Sequence, residues 1–160
     1  MNCYLYLMIK GEDRMIYTDL TKKALKLCFE AHKDQVDKTG LPYVFHPFHL
    51  AEQMDDEIST VCALLHDVVE DTDITFEDLI QMGYPQEVIE VLKLLTHEKE
   101  IPYMDYIKKL STNPITKKVK IADLMHNSDN TRLSVIDDYA KKRCQKYKEA
   151  LEILTENEKL

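Results

Sequence analysis

The chain has 160 residues, enough for one domain, and its 44% apolar residues allow a core that needs neither disulfides nor a structural metal. A formal charge of -8, with acidic residues spread along the chain, works against binding DNA or long RNA, although a metal ion and a few local cations can still hold a small anion. Cys3, Cys28, Cys62 and Cys144 stand singly, without zinc-ribbon spacing, and are expected to be packing residues in a reducing cytoplasm.

Met1 to Ile9 is apolar but lacks a basic flank and falls well short of the roughly 20 residues of a membrane span, so no membrane anchor is expected. Residues 1–14 read as a loose strand or an upstream start choice. From there apolar residues recur at intervals of three and four, the period of helices, and an all-α domain follows. Leu20, Ala24, Leu27, Cys28 and Ala31 form one stripe behind Thr18 or Asp19 as the cap. Lys38-Thr39-Gly40-Leu41-Pro42 marks a loop, and His46-Pro47 opens a short helix. Ser59 to Glu70 is apolar on nearly all sides and predicts a central buried helix.

Thr75 and Asp78 have capping-box spacing, and Gly83 suits the left-handed end of that short helix. Further helices are predicted over 85–96, with Val88, Val91, Leu92 and Leu95 inward, and over 103–110. Asn113-Pro114 caps and opens another, through about Asn127, in which Ala122, Leu124 and Met125 suggest burial over much of the circumference. The last runs over about 137–154, with Tyr139, Tyr147, Leu151 and Leu154 inward.

An isolated His-Asp pair is more often a satisfied core histidine beside a capped or salt-bridged aspartate than a ligand pair. His66-Asp67, however, lies in the most apolar helix, with Glu70 and Asp71 three to five residues on. Three crowded carboxylates on a buried helix call for a cation. Lys120, Asp123 and Asn127 share one stripe of a later helix, and His46 stands at a loop-to-helix junction. His46, His66, Asp67 and Asp123 make a mixed nitrogen and oxygen set suited to one divalent ion, Mn²⁺, Fe²⁺ or Zn²⁺ rather than Ca²⁺. Such an ion acidifies water and neutralises charge on a phosphoryl oxygen; Glu70 and Asp71 can then orient the water and protonate the leaving group.

The ordered segments FHP at 45–47, HDVVEDT at 66–72 and KIADLMHN at 120–127 resemble the HD hydrolase domain of the RelA/SpoT family, above all its small alarmone hydrolases. The similarity runs from about Tyr17 to Leu154. It implies a single HD-domain helical bundle over residues 15–160, with the metal site between central helices and Mn²⁺ the usual ion. It also implies removal of the 3′-pyrophosphate of guanosine 3′,5′-bis(diphosphate), a small anionic nucleotide.

Carried over by motif, His46, His66, Asp67 and Asp123 are the metal ligands, Glu70 and Asp71 the catalytic pair, and Asn127 a substrate contact. Arg143 and Tyr147 resemble pocket-lining residues, and Lys38 joins them as a cation. Two positions depart from the family pattern. Asp37 precedes Lys38 where the family commonly has Arg, and ADLMHNSD replaces ADRLHNMR, with Leu124 and Asp129 in place of basic residues. An HD phosphatase acting on another nucleotide, such as a mononucleotide or NADPH, is the alternative, followed by a non-catalytic nucleotide sensor. The length leaves no room for the synthetase domain of the longer relatives, so synthesis of the alarmone is not expected.

Overall fold

The computed structural model describes residues 15–129, 131 and 137–156. Residues 1–14, with Cys3, lie outside these. Among the described residues the chain is helical, with one isolated bridge between Val36 and Pro42 and no strand. The elements are α1 (Asp19–His32), α2 (Phe45–Glu52), α3 (Glu57–Leu65), α4 (Val68–Asp71), α5 (Phe76–Gln81), α6 (Gln86–Leu95), α7 (Tyr103–Leu110), α8 (Pro114–Ser128) and α9 (Asp138–Thr155). None is long and apolar enough to cross a membrane.

Local signals set most of the ends. Thr18 caps α1, its hydroxyl accepting from Thr21 N–H while Thr21 reaches back to Thr18 N–H. Thr75 and Asp78 form the expected capping box, and Gly83, at φ +79°, terminates the turn after α5. Pro85 and Thr96 flank α6 as its caps, and Asn113 Oδ1 accepts from Ile115 and Thr116 N–H behind Pro114.

α3 is the central element. Ser59 to Leu65 are all buried, and the helix packs against α1, α2, α6 and α8. α9 lies across α7 and α8. Leu50, Leu64, Leu65, Leu79, Ile89, Leu92, Ile107, Leu110, Leu124 and Leu154 are fully enclosed. Cys28 and Cys62 are buried with them, and burial pushes the Cys28 thiol up to about 12.

Three expectations need correction. The helix predicted over 59–70 is two helices, because α3 stops at Leu65 and α4 starts at Val68. Asp67 sits between them at φ -99°, ψ -2°, outside regular helix geometry. On an unbroken helix adjacent side chains diverge by about 100°, and opening this turn lets both functional side chains face one point. As a result Glu70 and Asp71 are at the exposed end of α4, not on a buried helix. Tyr139 is 67% exposed and does not belong to the inner face of α9, which is made by Ala140, Ala150 and Leu154 with Tyr147 and Leu151 half-buried. Its ring instead faces the Lys38 ammonium at 5.5 Å and the Arg143 guanidinium at 5.8 Å. Met125 is exposed as well, so the buried arc of α8 is narrower than its composition suggests.

Candidate metal centre

The site forms where α2, the α3–α4 junction and α8 meet. His46 is the second residue of α2 and is 5% exposed; its Nε2 lies 3.2 Å from Asp123 Oδ1 on α8 and 3.9 Å from Asp67 Oδ2. His66 Nε2 is 2.8 Å from Asp67 Oδ2. His46, His66 and Asp67 each offer a ligand atom within 4.8 Å of the others, and Asp123 adjoins this group through His46. Of the four residues named from the sequence as ligands, three form this group and Asp123 lies against His46.

The donor chemistry fits a cation. His66 Nδ1 is 2.8 Å from the carbonyl of Ala63, which can only accept, so Nδ1 carries a proton. In the neutral ring Nε2 is then a lone pair aimed at a carboxylate. Although close to Asp67, this buried nitrogen makes no aligned hydrogen bond. An orphaned buried acceptor beside two carboxylates is unfavourable until a positive charge stands among them. Without a metal, that charge is a proton: burial by itself lowers the His66 imidazole, but Asp67 and then Asp123 override it and hold it up to about 9. A field that retains a proton this firmly acts on twice the charge in a divalent ion, which must displace that proton to bind.

Burial would raise both carboxyls, but neighbouring positive charge, His66 beside Asp67 and Lys120 beside Asp123, holds them down, and hydrogen bonds add to it. The Tyr43 hydroxyl donates to Asp67 Oδ2, and burial pushes that hydroxyl far above the usual tyrosine range. Asp123 Oδ2 pairs with Lys120 Nζ at 2.7 Å, while Oδ1 accepts from the Asn127 amide at 2.5 Å. Burial would raise Asp123, but Lys120, His46 and His66 hold its carboxyl well below the ordinary carboxylate range. Asp123 in return keeps the buried Lys120 ammonium charged.

Glu70 and Asp71 stand at the rim. Burial against neighbouring protein raises the Glu70 carboxyl despite a hydrogen bond from His97 N–H at 3.3 Å, and Asp67 adds to the rise. Asp71 is raised by burial and by Asp67. Its backbone carbonyl accepts from Gln35 Nε2 at 3.0 Å. Beside the centre a cleft of about 250 Å³ is lined by Lys38, Tyr43, Asn127, Arg143 and Tyr147, which gathers the four predicted substrate residues. Asp37 also lines it, and its Oδ1 accepts from Thr39 N–H at 2.8 Å, Thr39 Oγ1 at 2.6 Å and Leu41 N–H at 3.1 Å. The residue in place of the family arginine therefore braces the loop around Gly40.

Two residues of the site escaped the sequence reasoning. Tyr43 sits in an irregular loop, where periodicity carries no signal. His126 does have a signal, the i+3 spacing from Asp123 inside KIADLMHN, and its Nδ1 lies 2.7 Å from His46 Nδ1.

No family model matches the chain. It is 30% identical over 142 residues to guanosine-3′,5′-bis(diphosphate) 3′-pyrophosphohydrolase MESH1 of Xenopus tropicalis, covering 80% of this chain and 78% of that protein. A guanosine-3′,5′-bis(diphosphate) 3′-pyrophosphohydrolase of Aquifex aeolicus is 31% identical over 120 residues, 69% of this chain but 17% of that longer protein. A solved structure described as a metazoan ortholog of SpoT that hydrolyzes ppGpp superposes with a TM-score of 0.68 at 23% identity, over 91% of this chain and 88% of that one, and shows the same fold. With the all-helical architecture and a His/Asp centre in place, the chain belongs to the HD-domain hydrolase family represented by MESH1.

Proposed function

We propose that this protein hydrolyses guanosine 3′,5′-bis(diphosphate), releasing the 3′-pyrophosphate and leaving guanosine 5′-diphosphate. The observation that carries this is the convergence of His46, His66, Asp67 and Asp123, with an orphaned imidazole nitrogen among them, in a chain of this family. These four residues are the metal ligands of the proposal. When bound there, a divalent ion, Mn²⁺ first and Fe²⁺ or Zn²⁺ next, supplies acidification of water and charge neutralisation at phosphorus.

The remaining steps belong to side chains of the chain. Glu70 and Asp71, at the end of α4 and raised in pKa by the protein packed beside their carboxyls, orient the attacking water and move its proton toward the leaving oxygen. Lys38 and Arg143 line the cleft as cations for the phosphates. Tyr147 offers an aromatic wall and Asn127 an amide at the junction of cleft and centre.

The test is steady-state hydrolysis with Mn²⁺ on a panel of guanosine 3′,5′-bis(diphosphate), GTP, a mononucleotide and NADPH. Pyrophosphate released from the first, in preference to phosphate from any other, is the expected result. Preference for another nucleotide, or bound Mn²⁺ without turnover of any, overturns the proposal.

A further inference from the structure

His126 has no role in the scheme above, yet its ring is held between two others. The His46 and His126 ring centres are 4.8 Å apart, His49 lies 4.7 Å from His126 on the same side of α2, and the tilts are 34° and 38°. The Nδ1 atoms of His46 and His126 are 2.7 Å apart, a distance that requires one to donate and the other to accept.

We infer that His126 is a positioning residue, which takes the Nδ1 proton of His46 in a hydrogen bond and so presents His46 Nε2 as a lone pair to the metal centre. The inference rests on the proposed ligand role of His46. A neutral imidazole carries one ring proton, and if Nε2 is to meet a cation that proton must be on Nδ1. A hydrogen bond at the far nitrogen fixes both the tautomer and the ring orientation.

The comparison with His66 makes the role specific. There the partner is the Ala63 carbonyl, an obligatory acceptor, so the tautomer is settled by the backbone. His46 has a side chain in the equivalent place, whose nitrogen can donate or accept. If His126 donated, His46 Nε2 would carry the proton and point it at Asp123 Oδ1, 3.2 Å away, occupying the position where a ligand lone pair is needed. His49 braces the His126 ring, and the half-buried setting of His126 leaves room for substitution.

The experiment is Mn²⁺ affinity, measured by titration on wild type, His126→Leu, His126→Asn and Asp67→Ala. Loss of a partner of this kind weakens metal affinity by about 10- to 100-fold, the result expected for His126→Leu. His126→Asn, whose side-chain carbonyl can accept, restores most of it. In wild type loaded with diamagnetic Zn²⁺, ¹⁵N correlation spectra of the imidazoles place the His46 proton on Nδ1. Leu and wild type binding Mn²⁺ equally well, or Leu and Asn losing affinity equally, overturns the inference while leaving the metal centre standing. Wild type that takes up no more Mn²⁺ than Asp67→Ala overturns the metal centre and the inference together. Should His126→Leu fail to fold, the wild-type spectrum decides alone through the ¹⁵N–¹⁵N coupling across the His46 Nδ1–H···Nδ1 His126 hydrogen bond, whose absence in the loaded protein refutes it.

Discussion

Between Thr75 and Leu95 the backbone groups at helix ends are closed by neighbours in sequence. Thr75 and Asp78 exchange hydrogen bonds, Gly83 N–H reaches Ile80 O at 2.9 Å, and Tyr84 N–H reaches Leu79 O at 3.2 Å. The apolar faces of α5 and α6, with Leu79, Val88, Ile89 and Leu92, then disappear into the core. At His66-Asp67 the chain does the opposite. It breaks a buried helix, turns an imidazole nitrogen toward a carboxylate, and draws partners from α2 and α8, far away in sequence. The first region is a stable frame, and the second gathers imidazoles and carboxylates from three separate segments.

That contrast breaks most visibly at Asp67. Asp67→Ala removes the carboxylate shared by His46, His66 and Tyr43, and with it a ligand of the proposed metal site, whose ion would supply several kcal/mol of charge stabilisation. Elemental analysis should find no bound Mn²⁺, and turnover should fall by roughly 10³-fold or more, since about 1.4 kcal/mol is tenfold in rate. Glu70→Gln separates chemistry from binding. It should keep the metal and the fold while losing about 10²- to 10⁴-fold in kcat, the contribution of a general acid or base. Metal content and kcat measured on one preparation check both statements.

The frame should respond in stability alone. Leu79→Ala empties a fully buried site in α5 and should lower unfolding free energy by about 2–5 kcal/mol in urea titration, with Mn²⁺ stoichiometry unchanged. The smallest effect is at Asp56, which caps α3: its Oδ1 accepts from Ser59 N–H at 2.8 Å and its Oδ2 from Ser59 Oγ at 2.6 Å. Burial would raise this carboxyl, but the Ser59 hydrogen bonds and Lys118 hold it below the ordinary 3.8. A depressed native pKa means that the stabilisation is complete above the unfolded value and is lost as pH falls through the native one. Asp56→Ala should therefore cost about 1 kcal/mol at neutral pH, and the gap to wild type should close under acid.

How far the sequence could be read follows the same division. The caps at Thr18, Thr75 and Asn113 and the turn at Gly83 are short-range effects, in which a side chain meets a backbone group two or three residues away. Spacing locates the caps at Thr75 and Asn113 and narrows the first to Thr18 or Asp19, of which the fold uses Thr18. Asp123 with Lys120 and Asn127 was legible for the same reason, because i+3 and i+4 residues share a helix face. The buried stripes of α1, α6 and α7 likewise follow the helical period.

Other features depend on what lies opposite in space. The run from Ser59 to Glu70, apolar on nearly all sides, says helix throughout. The interruption at His66-Asp67 becomes intelligible only when α2 and α8 bring His46 and Asp123 to the same point. Tyr139 has the right spacing for the inner face of α9 but stands outside among Lys38 and Arg143, a loop cation and a helical one. Tyr43 from a loop and His126 from a later helix, 24 and 80 residues from the atoms they meet, complete the centre. Composition and period thus determined an all-α frame and the residue types of a metal site. Which lone pairs face one another, and which carboxylate meets which imidazole, was decided by tertiary packing, because those contacts join segments that periodicity treats as independent.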